Sequence, residues 1–406
     1  MAVKKCFLSF FVSLMPCIIY ASVATNQSNL PPGNTKINKS QSVQSPKTNA
    51  PSIATYQPTV SPANFIPPIT WEGPDLSAVI VGGASAGFSK PSGGDSAFNI
   101  LDFNPILLFS YKELLFLRSS VDFSLDNQGN TSVNLDYANL NLFLNDYAVL
   151  GIGKFDSGLG YFVQNLSPAW INRMPDSPVG FASDEAAPQS EIGLRLQGGL
   201  PLLFNQIATN YILFISNANQ GVVDIATSVI DYVGSNGYLQ SSGNYLYGGR
   251  FGILPIPKLE IGISAATGKI SLIDSLNTSV VLQNNRSYHV LGADFSYKPG
   301  HWDLRAEIIQ QQVPSQSGSV AEGAQTWRAW YGQVAYWIPN TQWEPVIRYS
   351  KFTTSIVANR ERQWAFGVDY WFAPSIALQT SFELNKGEVG TSQNTNTFLM
   401  QLAFGY

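Results

Sequence analysis

From Trp71 onward, apolar and polar residues alternate with a period of two in segments of about ten residues, bounded by clusters of Gly, Asn, Asp, Ser and Pro. That is the pattern of half-exposed strands joined by turns. It is sharpest at the end of the chain, where Phe398, Met400, Leu402, Phe404 and Tyr406 share one face and Thr397, Leu399, Gln401, Ala403 and Gly405 the other. Carried backwards, the alternation predicts sixteen strands, near 75–88, 101–110, 114–125, 131–144, 147–155, 189–199, 207–217, 243–254, 259–267, 286–298, 301–312, 325–338, 342–352, 361–372, 375–385 and 397–406. Connections alternate between tight, as at Pro339-Asn340-Thr341, and long, as at 313–324 and 386–395. Such alternation suits a membrane barrel with short turns on one side and longer loops on the other.

Composition sharpens this reading. Of 406 residues 45% are hydrophobic and only 12% charged, where ordinary soluble domains carry about 25% charged. The longest apolar run, Cys6–Tyr20, is too short for a membrane-spanning helix. A chain apolar on average but not locally is expected to be all-β, a sixteen-stranded antiparallel transmembrane barrel, closed because an open edge in lipid leaves backbone groups unpaired.

The first 24 residues read as a secretory signal: Lys4 and Lys5, the apolar run, then Ser22-Val23-Ala24 before the cut. A lipoprotein reading at Cys17 fits less well, because Pro16 stands where a small residue is expected. Both cysteines, Cys6 and Cys17, fall in this segment, so neither disulfide nor Cys-metal chemistry is expected beyond it. Residues 25–70, rich in Asn, Ser, Thr, Gln and Pro, are expected to be a disordered periplasmic tail, either a passive linker or a wall tether. The barrel would span 71–406.

The terminal aromatic preceded by alternate hydrophobics, with Phe398 upstream, resembles the C-terminal assembly signal of bacterial outer-membrane barrels. Sixteen strands with alternating loops resemble the bacterial porins over Trp71 to Tyr406. This resemblance implies an outer-membrane channel of a Gram-negative cell for small hydrophilic solutes, placed in lipid by the barrel-assembly machinery and associated as a homotrimer. In porins the loop between strands five and six narrows the lumen. Here that interval is Asp156–Pro188, carrying Tyr161, Phe162, Trp170, Ile171, Met174 and Phe181 with Pro168, Pro175, Pro178 and Pro188. Its Leu166–Pro178 stretch is similar to the corresponding loop of phosphate-selective-type and other substrate-biased porins. A lid or a latch onto a neighbouring subunit is the alternative.

Alternation sends Arg118, Asp122, Glu191, Arg195, Arg250, Glu260, Asp294, Asp303, Arg305, Glu307, Glu344, Arg348, Asp369 and Glu383 inward. Arg118, Arg195, Arg250, Arg305 and Arg348, facing Asp176, Asp184 and Glu185 of the long loop, resemble a porin constriction. Five of the 23 basic residues and none of the 27 acidic ones precede Trp71, leaving the barrel with 18 basic against 27 acidic, a net charge of −9. A modest cation preference is expected from that balance. Tyr111, Tyr147, Trp302, Trp337, Trp343, Trp371 and Tyr406, near strand ends, are expected to form interfacial girdles. Small residues on the first strand, Ala78, Gly82, Gly83, Ala84, Ala86 and Gly87, mark either a subunit contact or a bend.

Enzyme chemistry is poorly provided for. His289 and His301 are the only histidines, too few for a zinc site, and no phosphate-binding loop or GxSxG elbow occurs. Ser287 and His289 share a face without a lipase motif around them. No cofactor, metal or nucleic-acid partner is expected. Besides a diffusion porin, two readings stay open: an adhesion or binding barrel with a closed lumen, and a ligand-selective porin for a siderophore or an oligosaccharide.

Overall fold

The computed structural model describes residues 69–406 except 113, 126–128, 167, 203–206, 235–242 and 388–393. The expected signal, 1–24, and all but the last two residues of the expected tail lie outside the described residues.

Alternation is realised as strands β1 (Ile69–Glu72), β2 (Leu76–Pro91), β3 (Ala97–Tyr111), β4 (Leu115–Leu125), β5 (Thr131–Asn145), β6 (Ala148–Asp156), β7 (Ser190–Gly198), β8 (Pro201–Leu202), β9 (Ile207–Asn217), β10 (Gln220–Asp224) and β11 (Val229–Gly234). They continue as β12 (Tyr245–Ile256), β13 (Leu259–Asp274), β14 (Val281–Tyr297), β15 (Trp302–Val313), β16 (Gln325–Tyr336), β17 (Trp343–Thr354), β18 (Glu361–Ala373), β19 (Ile376–Gly387) and β20 (Thr397–Gly405). Sixteen of these, β2–β7, β9 and β12–β20, pair antiparallel with their neighbours in chain order, and β20 closes on β2. The fold is the sixteen-stranded antiparallel barrel that the alternation predicts.

At the seam Gly83 lies opposite Gly405, and Gly82 and Tyr406 exchange both backbone hydrogen bonds, at 2.9 and 3.0 Å. Beyond Tyr406 the same edge of β2 is taken by β1, with Ile69 opposite Ile80. Ile69 and Thr70 therefore belong to the sheet and not to the tail. The tight turns use residues that tolerate a left-handed backbone, Gly300 at φ 58° and Asn340 at φ 61°.

Outward positions are apolar and exposed, as at Ile263, Leu291, Ile347, Phe366 and Leu402, while the alternate residues of the same strands are polar or small and buried, as at Ser264, Arg348, Gly367 and Gln401. Lipid contact on one face and hydrogen bonding on the other accounts for that division. Trp302 and Trp343 stand exposed near the short turns, Trp302 tilted against the Tyr336 ring and Trp343 edge-on to Tyr370. Trp371 departs from the girdle expectation: it points inward, buried, and its indole N–H donates to Glu344 at 2.9 Å. A Trp without a polar partner suits an interface, but this one has a carboxylate to satisfy it in the interior.

The barrel is not uniformly hollow. A hydrophobic cluster lies against the inner face of one side, built from Phe155, Phe162, Phe181, Val223, Ile230, Leu246, Ile270, Tyr288, Trp327 and Tyr331 among others. Its members come from wall strands, from residues 157–189, from the β10–β11 hairpin and, at Ala321, from the connection between β15 and β16. That hairpin was not foreseen by alternation, which left 218–242 as a connection; β10 pairs in parallel with the far end of β13.

Candidate functional site

The long connection leaves β6 at Asp156 and enters β7 at Ser190, with one short helix, α1 (Phe162–Leu166). Its apolar residues need a surface, and the inner wall supplies it. Phe162 and Phe181 meet edge-on at 5.8 Å, and both meet Tyr331 of β16, at 5.8 and 5.1 Å. Met174 is fully buried with Ala335, Val346 and Ala365. Trp170 lies on Gly83 and Gly405.

Polar contacts follow the same wall. The backbone N–H of Gly160 donates to Ser264 of β13 at 3.2 Å and that of Phe162 to Glu307 of β15 at 2.8 Å. Gln311 of β15 donates to the carbonyls of Glu185 and Ala186, and Gln379 of β19 to the carbonyl of Asn172. Each buried backbone group so paired avoids a desolvation cost of about 1–3 kcal/mol. Burial pushes the Tyr161 hydroxyl up to about 12.

The five arginines expected to face the loop are placed in different ways. Arg348, fully buried, donates to Asp176 Oδ1 at 2.6 Å and to the Asp176 carbonyl at 3.0 Å. Arg250 is held by Asp294 and Glu260 beneath the Tyr161 ring. Arg305 is paired with Asp303 on its own strand, and Arg195 lies buried against the Phe155 ring at 4.8 Å. Arg118 alone of the five keeps partial exposure, 3.4 Å from Asp156 and 3.9 Å over the Tyr137 ring.

Of the loop acids, Asp176 meets an arginine, whereas Glu185 turns back to accept the N–H groups of Gly180 and Ala182 at 2.8 and 2.9 Å. Burial, outweighing those two bonds, raises its carboxyl above the ordinary value. Asp184 sits exposed at a left-handed position, φ 64°. Arg173, which sequence reasoning did not single out, joins the loop tip to Glu344 at 3.1 Å and Asp303 at 4.0 Å, over the Trp371 ring.

The opposite wall carries a different surface. On β2–β5, Ser85 donates to Asp102 at 2.9 Å, Asn104 to Asp122 at 2.7 Å, and Ser120 to Asp136 at 3.2 Å. All three carboxylates are partly exposed on the inner face. Asp136 is there because of a bulge: Ser120 opposes Tyr137 and Val121 opposes Leu135, leaving Asp136 unmatched. Strict alternation cannot place both Asp136 and Tyr137 inward, and no residue in the segment announces the bulge.

A barrel of this strand number, meandering in chain order, with a long connection after the fifth membrane strand folded back against the inner wall, defines the architecture of the bacterial porins. No family model matches the chain, and no curated protein matches it by sequence. Among solved structures it is similar to an anion-selective porin from Comamonas acidovorans, at 11% identity over 82% of this chain and all of that one, TM-score 0.57. The outer-membrane channel DcaP of Acinetobacter baumannii matches at 8% over 83% and 99%, TM-score 0.56. OmpT of Vibrio cholerae, an outer-membrane protein, matches at 8% over 83% and 100%, TM-score 0.53. At such identities the likeness is one of fold: the chain has the porin fold.

Proposed function

We propose that the protein is an outer-membrane channel for passive diffusion of small hydrophilic solutes, narrowed by residues 157–189, and not an enzyme. The observation that carries this reading is the asymmetry of the interior. The loop packs on the wall from β13 to β20, whereas Asp102, Asp122 and Asp136 on β3–β5 stay open to water. The aqueous route then runs between that acidic wall and the loop, with Arg118 at its edge. Charges lining a low-dielectric passage enrich counter-ions, so the route prefers cations. Arg195, Arg250, Arg305 and Arg348 serve in this reading to hold the wall and the loop, and Asp176 and Glu185 to anchor the loop.

The same reading places the N-terminal segment in the periplasm, hands the C-terminal Phe398, Met400, Leu402, Phe404 and Tyr406 to the assembly machinery, and takes the assembled form as a homotrimer. Purified protein in a planar bilayer tests it. Stepwise conductance with a cation-selective reversal potential is expected. Inserted, folded protein without conductance would overturn the channel and favour an adhesion barrel with a closed lumen; anion selectivity would overturn the acidic route.

A further inference from the structure

Trp170 occupies an unusual seat. Gly83 on β2 and Gly405 on β20 are register partners at the one place where the barrel's first and last membrane strands meet. A Cβ added at Gly83 would fall 2.0 Å from Trp170 Cε3, and one at Gly405 2.8 Å from Trp170 Cδ1. Real Cβ atoms do not approach so closely, and here the neighbour is a rigid ring, not the free end of a flexible chain. The indole therefore lies in a slot that exists only because both strands carry glycine at the same level. Neither glycine has a positive φ, so close approach and not backbone conformation calls for glycine: at Gly83 of both the ring and the Phe404 carbonyl oxygen, 2.8 Å from an added Cβ, and at Gly405 of the ring, to which all three nearest atoms belong. Val81 and Ser85, the inward neighbours of Gly83, are buried beside it.

We infer that Trp170 in the Gly83/Gly405 slot is the positioning residue that sets how far the loop extends across the lumen, and hence the width of the route along β3–β5. This rests on the channel reading, but the contact itself does not. From its base at Asp156 the loop touches β13 at Ser264, β15 at Glu307 and β16 at Tyr331, then reaches β20 and β2 at Trp170. It returns along β19, β18 and β17 through Asn172, Met174 and Asp176. Trp170 is thus the turning point of the excursion, adjacent to β3, the first strand of the acidic wall. Without it the tip keeps, among the described residues, its contacts on the β15–β19 side through Asn172, Arg173, Met174 and Asp176 and loses its hold on the seam. The glycines on the first strand that suggest a subunit contact or a bend have in Gly83 an internal occupant instead.

The test uses a thiol beneath the loop and the current through the pore. Cysteine is absent from residues 18–406, so Ser381→Cys introduces a single reporter there. Ser381 is buried on the inner face of β19, opposite Gly367, against which Met174 sits. In folded, heat-modifiable barrels, Trp170→Ala should speed labelling of that thiol by a water-soluble maleimide by about tenfold or more, since labelling tracks the open population, and should raise single-channel conductance. Trp170→Phe should restore most of the protection. Gly405→Ala, whose added methyl would meet Trp170 first, should mimic Trp170→Ala, and the double variant should be no more open than either single one, because the clash and the contact are the same interaction. Wild-type labelling and wild-type conductance in folded Trp170→Ala, or additive effects in the double variant, would overturn the proposal. A wild-type barrel that does not conduct would overturn the channel reading alone, with the labelling still deciding the seat of Trp170.

Discussion

Arg348 on β17 reaches Asp176 of the inner loop at 2.6 Å and at the same time takes the Asp176 carbonyl at 3.0 Å, so one guanidinium grips both the side chain and the backbone of the loop. Gln363 of β18 accepts a further bond from it at 3.2 Å. Arginine suits this place because its planar fork offers several donors in fixed directions. Lysine could satisfy only part of the set.

Removing either partner should loosen the loop. Breaking a fully buried pair costs about 3–5 kcal/mol, and the partial exposure of Asp176 reduces that figure. Arg348→Ala is expected to keep the barrel folded while raising current noise and conductance. Asp176→Asn should do so more mildly, because the carbonyl bond survives. In the double variant the two effects should fall short of their sum, which single-channel recordings of all four proteins will show.

Asp102→Asn, Asp122→Asn and Asp136→Asn should each shrink the cation preference, and the triple variant should abolish it. Reversal potentials in a salt gradient measure this. Asp136→Asn is expected to act without disturbing assembly, since asparagine keeps an acceptor for Ser120. The same triple change made at Asp294, Asp303 and Glu307, beneath the loop, should leave the surviving folded protein's selectivity nearly as it was.

Acidity should tighten the loop. Burial raises the Glu185 carboxyl in the folded loop, so the folded form holds its proton more firmly than the free chain does. Docking is therefore strongest below the ordinary glutamate range and weakens as pH rises through the raised value. Current noise should grow as pH rises from about 4.3, the ordinary glutamate value, through the raised one. Glu185→Gln, which keeps an acceptor for Gly180 and Ala182, should flatten that dependence; an unchanged profile would remove Glu185 from the account.

Leu402 faces lipid on β20. Leu402→Arg should cost about 2–4 kcal/mol if near the bilayer midplane and lower the folded fraction on a heat-modifiability gel. Deleting Tyr406 removes both backbone bonds to Gly82 and should impair closure more than Phe398→Ala, which leaves the ladder whole.

The strands were legible because lipid on one side and polar groups on the other impose a period of two that survives along every wall strand. Arg250, Asp294, Asp303 and Arg348 were sent inward by that rule, and inward they are. What the period cannot convey is which inward residues the loops then cover. Arg118 and Arg348 look alike in sequence, yet one keeps water and the other is sealed by Asp176. Trp371 misled because a strand-end tryptophan reads as interfacial until Glu344 is known to lie across from it. The β10–β11 hairpin was hidden by its shortness, and Asp136 by a bulge that shifts phase without a glycine to mark it.

The partnership of Gly83 with Gly405 also orders events in time. Their two strands come from opposite ends of the described sequence, so their pairing is the most sequence-distant contact in the barrel and carries the largest chain-closure cost before any reward. The groove for Trp170 does not exist until that contact is made. Seating of Trp170 therefore follows sealing of the wall, whereas the loop's contacts with β13, β15 and β17 need no such closure.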